Sequence, residues 1–404
     1  MILSSSFMKS LTPSAIRSIT SQIADKTANG TYVASFAGGR PAAELFPYKE
    51  IGEITHKIFT TEDPECIQYG PSSGYTPLRK EFAQLMKRVS VNVDWKQVFI
   101  SAGAGQAISY ISRALLSDGH GTVVCENPTY VASIDTFRAF GANVIGVEME
   151  ADGMNLVKLE EILKKEPIRF IYTIPDFQNP TGATMSIEKR KKLVELAKKY
   201  NTVIVEDAPY ALVNFTGEIQ PAIKSFDVDD SCVVYIGSVS KIICPGLRVG
   251  WIVADAESVQ RLIYIRMRDD SFCNTLAERQ VYHFLHDYDF DQHLNKISAS
   301  YKSRKDCMVK TIHKTFPKSC EIIEPNGGLF VWVKFEGSID TTKLFDYVFE
   351  KNIAFVPGTF FYADRSGLNT LRLSFATVTE DVIEAKISEL GNLISDYLER
   401  GEEQ

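Results

Sequence analysis

The residues best suited to chemistry crowd the stretch GSVSKIICPGLRVGW, which places Ser238, Ser240, Lys241 and Arg248 in one connection between two apolar runs. A lone lysine in a loop is ordinarily a solvated charge. Here two small hydroxyl residues precede Lys241, and a Pro-Gly turn leads on to Arg248. A lysine buried at such a point loses its charge readily and becomes a nucleophilic amine. Asp207 closes TVIVED. It fits either an N-cap or core carboxylate held by backbone amides, or the counter-ion of a buried cation. Asn179 in NPTG and Tyr210 in EDAPY read, taken singly, as a turn residue and a packed aromatic.

The elements that must position these groups follow from periodicity. Over 97–253, short β-branched runs (QVFIS, TVVCE, VIGVE, RFIYTIP, TVIVED, VVYIG, VGWIVA) alternate with stretches of helical period. That alternation predicts βαβ units and a largely parallel sheet. IEKRKKLVELAKKY, behind Ser186 as N-cap, reads as a covering helix, and the charged run 189–192 as its solvated face. Ligands of such sheets lie beyond the carboxyl ends of strands. Asn179 follows RFIYTIP, Asp207 ends TVIVED and Ser238 to Lys241 follow VVYIG, so the three signals describe one site. After residue 287 the texture changes to helices around EIIEPNGGLFVWVKF and LNTLRLSFA, a second and smaller α+β domain. No Pro/Gly-rich linker separates the parts, so a cleft is expected at their junction.

Composition excludes other classes. The 404 residues are 45% hydrophobic, enough for a large core, and 44 basic against 51 acidic residues offer no footprint for nucleic acid. Seven cysteines without CxxC spacing fit reduced thiols, hence a cytoplasmic setting. Six histidines show no metal spacing, and no apolar run approaches a membrane span.

Seven stretches in order, FAGGRP, YGPSSGYTPLR, NPTGATMS, EDAPY, SVSKIICPGLRVGW, GGLFVWV and LRLSFA, resemble the class I/II aminotransferases of pyridoxal 5'-phosphate (PLP) fold type I. They span nearly the whole chain. More narrowly, the chain is similar to the branch of 2-aminoadipate, kynurenine and aromatic aminotransferases. The resemblance implies an α/β fold: a large domain with a mainly parallel central sheet and a smaller α+β domain. It divides the chain into an N-terminal arm joining the small domain (1–45), the large cofactor domain (46–286) and the C-terminal small domain (287–404).

The resemblance also assigns roles. Lys241 corresponds to the lysine that holds PLP as a Schiff base and then moves a proton between the substrate's Cα and the cofactor's C4'. Asp207 faces the pyridine nitrogen, Tyr210 and Asn179 the phenolic oxygen, and Tyr130 the ring face. Ser238, Ser240 and Arg248 form the phosphate cup, the arginine as a charge-assisted fork. The amides of Ala104 and Gly105 supply its second wall at a helix N-terminus. Relatives usually carry Ser-Gln at those two positions, so one hydroxyl contact is missing here. Tyr69 would reach the phosphate of a neighbouring subunit, which implies a homodimer with shared active sites.

For substrate, Arg372 corresponds to the arginine that grips the α-carboxylate, and Gly39 to a glycine lying against the same group. Arg17 matches an arginine of 2-aminoadipate enzymes that meets a side-chain carboxylate; a solvent-facing helix arginine is the plain alternative. Arg40 stands where relatives usually have leucine, and either reshapes the pocket or points to solvent. The expectation is ping-pong transfer from an L-amino acid to a 2-oxo acid such as 2-oxoglutarate, with no metal. A PLP lyase on the same fold and a PLP-binding regulatory domain are the alternatives. GGLFVWV is expected to be a small-domain strand whose aromatics pack as core.

Overall fold

The computed structural model describes residues 14–62, 64–116, 121–337 and 339–402. In chain order its strands are β1 (Ala34–Ser35), β2 (Val98–Ser101), β3 (Thr122–Asn127), β4 (Asn143–Glu150), β5 (Gly153–Met154), β6 (Ile168–Thr173) and β7 (Val203–Asp207). They continue with β8 (Val233–Ser238), β9 (Gly250–Val253), β10 (Cys320–Ile323), β11 (Phe330–Phe335), β12 (Ile353–Ala354), β13 (Val356–Pro357) and β14 (Thr370–Ser374).

Eight of these form the central sheet in the order β2-β9-β8-β7-β6-β3-β4-β5. The run from β8 to β4 is parallel. The expected VGWIVA strand is present as β9 but runs antiparallel to both of its neighbours. The reason is local: Ser240, Lys241 and the single helical turn Pro245–Leu247 fill the short connection after β8, too short for a crossover helix. Lys241 therefore sits in a hairpin-like connection and not in a βαβ crossover.

The sheet is covered by helices, among them Ala104–Leu116, Ile187–Tyr200 and Ala256–Met267. Ser186 does cap the second of these, its hydroxyl accepting from the Lys189 amide. The run 189–192 is only partly a solvated face. Helical period puts Arg190 beside Leu193, Val194 and Ala197, and it is fully buried, its Nη2 donating to Asp176 at 2.6 Å.

The smaller sheet has the order β10-β11-β14-β13 and is antiparallel throughout. β1 pairs in parallel with β12, so the segment that continues into Gly39 is fastened to the C-terminal part of the chain. Among the described residues no helix is long and apolar enough to cross a membrane.

Candidate active site

Asp207 is the last residue of β7, and parallel pairing with β6 and β8 buries it to 3% exposure. Its Oδ2 accepts from the Tyr172 hydroxyl at 2.6 Å, whereas its Oδ1 is buried with no hydrogen-bond partner. Burial pushes this carboxyl up to about 6, and the Tyr172 hydrogen bond works against that rise. A buried carboxylate oxygen without a donor is costly. It suits a protonated ring nitrogen, which supplies both the missing N–H and a positive charge.

Half-buried Lys241 follows β8, and its Nζ donates to the Gly39 carbonyl at 2.6 Å. Burial, then the Arg372 and Arg248 cations, lower its pKa to about 8. The amine is thus poised near neutrality, as a nucleophile toward an aldehyde requires.

The connection around Lys241 is shaped for an anion. Ser238 Oγ lies 3.0 Å from Ser240 Oγ and accepts from the Ser240 amide at 3.2 Å. Arg248 is exposed and left-handed (φ 53°), and its Nη2 donates to the Ala102 carbonyl at 2.9 Å. Facing it, Ala104 and Gly105 open the helix Ala104–Leu116, where first-turn amides have no helical carbonyl to meet. Gly103, just before them, has φ +86°, and a Cβ there would stand 2.8 Å from Arg248 Nη2. Sequence reading passed over this glycine, although its place before the helix marks a turn that needs one.

Arg372, from β14, is 1% exposed. Nη1 donates to Asn179 Oδ1 at 2.8 Å and Nη2 to the Ala37 carbonyl at 2.7 Å, while its guanidinium lies over the Phe330 and Phe361 rings. Tyr210 packs edge-on against Phe330, and burial raises its hydroxyl well above the usual tyrosine range. Gly39 meets the same ring, since a Cβ there would be 3.2 Å from Phe330 Cζ. Phe330 is therefore wall of the site as well as core, a role that the alternation of GGLFVWV cannot separate from packing.

Tyr130 stands at the start of the helix Val131–Ala139; burial raises its pKa, with Asp207 adding to the rise and Arg372, Arg17 and Arg248 opposing it. Arg372 links these groups: it bonds Asn179, and its charge bears on Tyr130, Tyr210 and Lys241, with Arg248 acting on the same amine. Arg17, on the helix Ala15–Ala28, is exposed although its charge reaches Tyr130, and Arg40 is exposed beside Gly39. Tyr69 lies apart, 79% exposed, its ring 5.2 Å from that of Phe272.

A mainly parallel α/β sheet with a lysine, a partnerless buried carboxylate oxygen and an anion cup at its strand ends defines a fold type I PLP enzyme. The chain belongs to the aminotransferases of class I and II, whose family model matches residues 45–390. It is 35% identical over 374 residues to an aromatic-amino-acid aminotransferase of Thermococcus litoralis, covering 91% of this chain and 89% of that one. It is 34% identical to the 2-aminoadipate transaminase of Thermus thermophilus, covering 91% of each. The kynurenine aminotransferase of Pyrococcus horikoshii, solved with PMP, superimposes with a TM-score of 0.93 at 32% identity over 98% of both chains. The cofactor is PLP, and the chain is an aminotransferase of the kynurenine, 2-aminoadipate and aromatic type.

Proposed function

We propose that this enzyme moves the amino group of an L-amino acid, of 2-aminoadipate, aromatic or branched type, to a 2-oxo acid, 2-oxoglutarate foremost, in two half reactions at one site. The observation that carries this reading is the buried Arg372 fork beside Lys241. A guanidinium held between Asn179 and Ala37 suits an α-carboxylate that must be retained, which speaks against decarboxylation.

When bound, PLP supplies an electron sink for the pair left at the substrate's Cα. Lys241 would be the nucleophile toward the cofactor's aldehyde carbon, and its amine, freed when substrate binds, would hold and move the substrate's Cα proton. Asp207, through its partnerless Oδ1, would keep a proton on the ring nitrogen. Tyr210 and Asn179 would donate to the phenolic oxygen, and Tyr130 would cover the ring face. Ser238, Ser240, Arg248 and the Ala104 and Gly105 amides would hold the phosphate. The 2-oxo acid would use the same residues in reverse order, which is why the kinetics are expected to be ping-pong.

Gly39 lines the carboxylate position, and Arg17 is assigned to a substrate side-chain carboxylate. Tyr69, exposed here, would contact the phosphate bound by a second copy, giving a homodimer in the cytoplasm. The division into 1–45, 46–286 and 287–404 belongs to the same reading.

Purified protein is expected to show a visible cofactor band that L-glutamate bleaches and that Lys241→Ala lacks. A half-reaction screen of amino acids then ranks donors. Transaminase turnover retained by Lys241→Ala, or bleaching by no amino acid, overturns the reading.

A further inference from the structure

Tyr172 lies on β6, paired opposite Val205 of β7, and is fully buried. The Phe137 ring packs edge-on against it, with centroids 5.3 Å apart at 69°. Its hydroxyl is engaged on both sides: Ser133 Oγ donates to it at 2.9 Å, and it donates to Asp207 Oδ2 at 2.6 Å. An ionised carboxylate can only accept, and a tyrosine has a single proton to give. The chain of donors therefore runs one way, from Ser133 through Tyr172 to Asp207. Ser133, on the first turns of the helix Val131–Ala139, fixes which side of Tyr172 carries the proton.

Asp207 could otherwise rotate and offer either oxygen. With Oδ2 occupied, Oδ1 is the acceptor left over. We propose that Tyr172 is a positioning residue for Asp207: its hydroxyl, oriented by Ser133, engages Oδ2 and thereby commits Oδ1, and the carboxylate's charge, to the ring nitrogen of the cofactor. The proposal rests on the reading of Asp207 as the partner of that nitrogen. Burial favours a protonated Asp207, and the Tyr172 hydrogen bond offsets it. Without the hydroxyl, a proton placed between Oδ1 and the ring nitrogen of bound PLP would move toward the aspartate. The ring would then carry less positive charge, and the spectral midpoint of the PLP-loaded protein would rise.

The groups that sense the charge of Asp207 from the surrounding elements are Glu126 on β3, Tyr130, Tyr210, and Tyr235 on β8. Of these, Glu126 is raised to about 7; it is bound by Thr173, the Ile174 amide and Gln178 and not by Tyr172. Replacing Tyr172 thus leaves its partners in place.

The test is a pH titration of the visible absorption of PLP-loaded wild type, Tyr172→Phe, Ser133→Ala and Asp207→Asn, with kcat and KM measured alongside. Tyr172→Phe is expected to raise the spectral midpoint by about one pH unit and to lower kcat roughly tenfold, with KM within about twofold, as loss of one hydrogen bond to a charged group implies. Ser133→Ala is expected to shift the midpoint the same way by less. A merely structural tyrosine would leave the midpoint in place, and an unmoved midpoint in Tyr172→Phe overturns the proposal. Should that variant fail to fold, Ser133→Ala decides by the same criterion. If Asp207→Asn retains the wild-type midpoint and turnover, it is the assignment of Asp207 that fails. If Asp207→Asn alters both and Tyr172→Phe alters neither, only the role of Tyr172 falls.

Discussion

Arg372 Nη1 donates to Asn179 Oδ1 at 2.8 Å across 193 positions of sequence. This bond joins β14 of the small sheet to the NPTG turn that follows β6, so the arginine proposed for substrate and the amide proposed for cofactor are oriented by each other. The guanidinium also lies over the Phe330 and Phe361 rings, 4.1 and 4.8 Å from their centroids.

Arg372→Lys keeps the charge and loses the planar fork. Steady-state kinetics with the preferred amino acid should show kcat/KM lower by roughly 10–100-fold, mostly through KM, the cost of one or two charge-assisted hydrogen bonds. PLP should still be bound in full, its visible band shifted because Asn179 loses the Arg372 donor, so that cofactor content separates substrate binding from cofactor loading.

Gly103→Ala forces a side chain into a left-handed backbone position and against Arg248 Nη2. The arginine must move from the cup proposed for phosphate. Equilibrium dialysis should show PLP binding weakened by about tenfold or more, with the protein still folded by circular dichroism.

Asp207 has a folded-state pKa of about 6, above the ordinary 3.8. Between those values the folded chain binds more protons than the unfolded one, so this group's contribution to stability falls as pH rises from about 4 to 6 and stays low above it. Cofactor-free Asp207→Asn should therefore be more stable than cofactor-free wild type at pH 7 to 8, by on the order of 2 kcal/mol, with the gain vanishing near pH 4. Thermal unfolding across that range checks the sign.

Lys241 behaves oppositely in window though for the same cause, burial. Its pKa of about 8 lies below the ordinary 10.5, so between those values the unfolded chain binds more protons and stability rises with pH. Cofactor-free Lys241→Met should lack that rise and should exceed wild type most clearly below pH 8. Equal pH slopes for the two proteins between pH 8 and 10 would contradict the shifted amine.

Much of the site was legible because its members lie in short local patterns. Lys241, Ser238, Ser240 and Arg248 fall at the end of β8 and in the one connection that follows it, and Asp207 closes a β-branched run whose end is also the end of a parallel strand. The antiparallel direction of β9 was not legible, since an apolar run of four residues reads alike in either direction. The burial of Arg190 was hidden by its charged neighbours and becomes clear only when Asp176 is found facing it.

Cofactor class and family were readable from seven motifs in order along the chain, and the residues at the strand ends from periodicity, because parallel pairing carries strand ends to one edge of the sheet. Which of those groups hold one another emerges from the folded chain alone. That Tyr172 takes one oxygen of Asp207 and leaves the other free, that Gly39 offers its carbonyl to Lys241, and that Phe330 walls the site beneath Arg372 are contacts between distant segments. A side chain's partner across the sheet depends on register and packing, and neither is written in the spacing of residues along one strand.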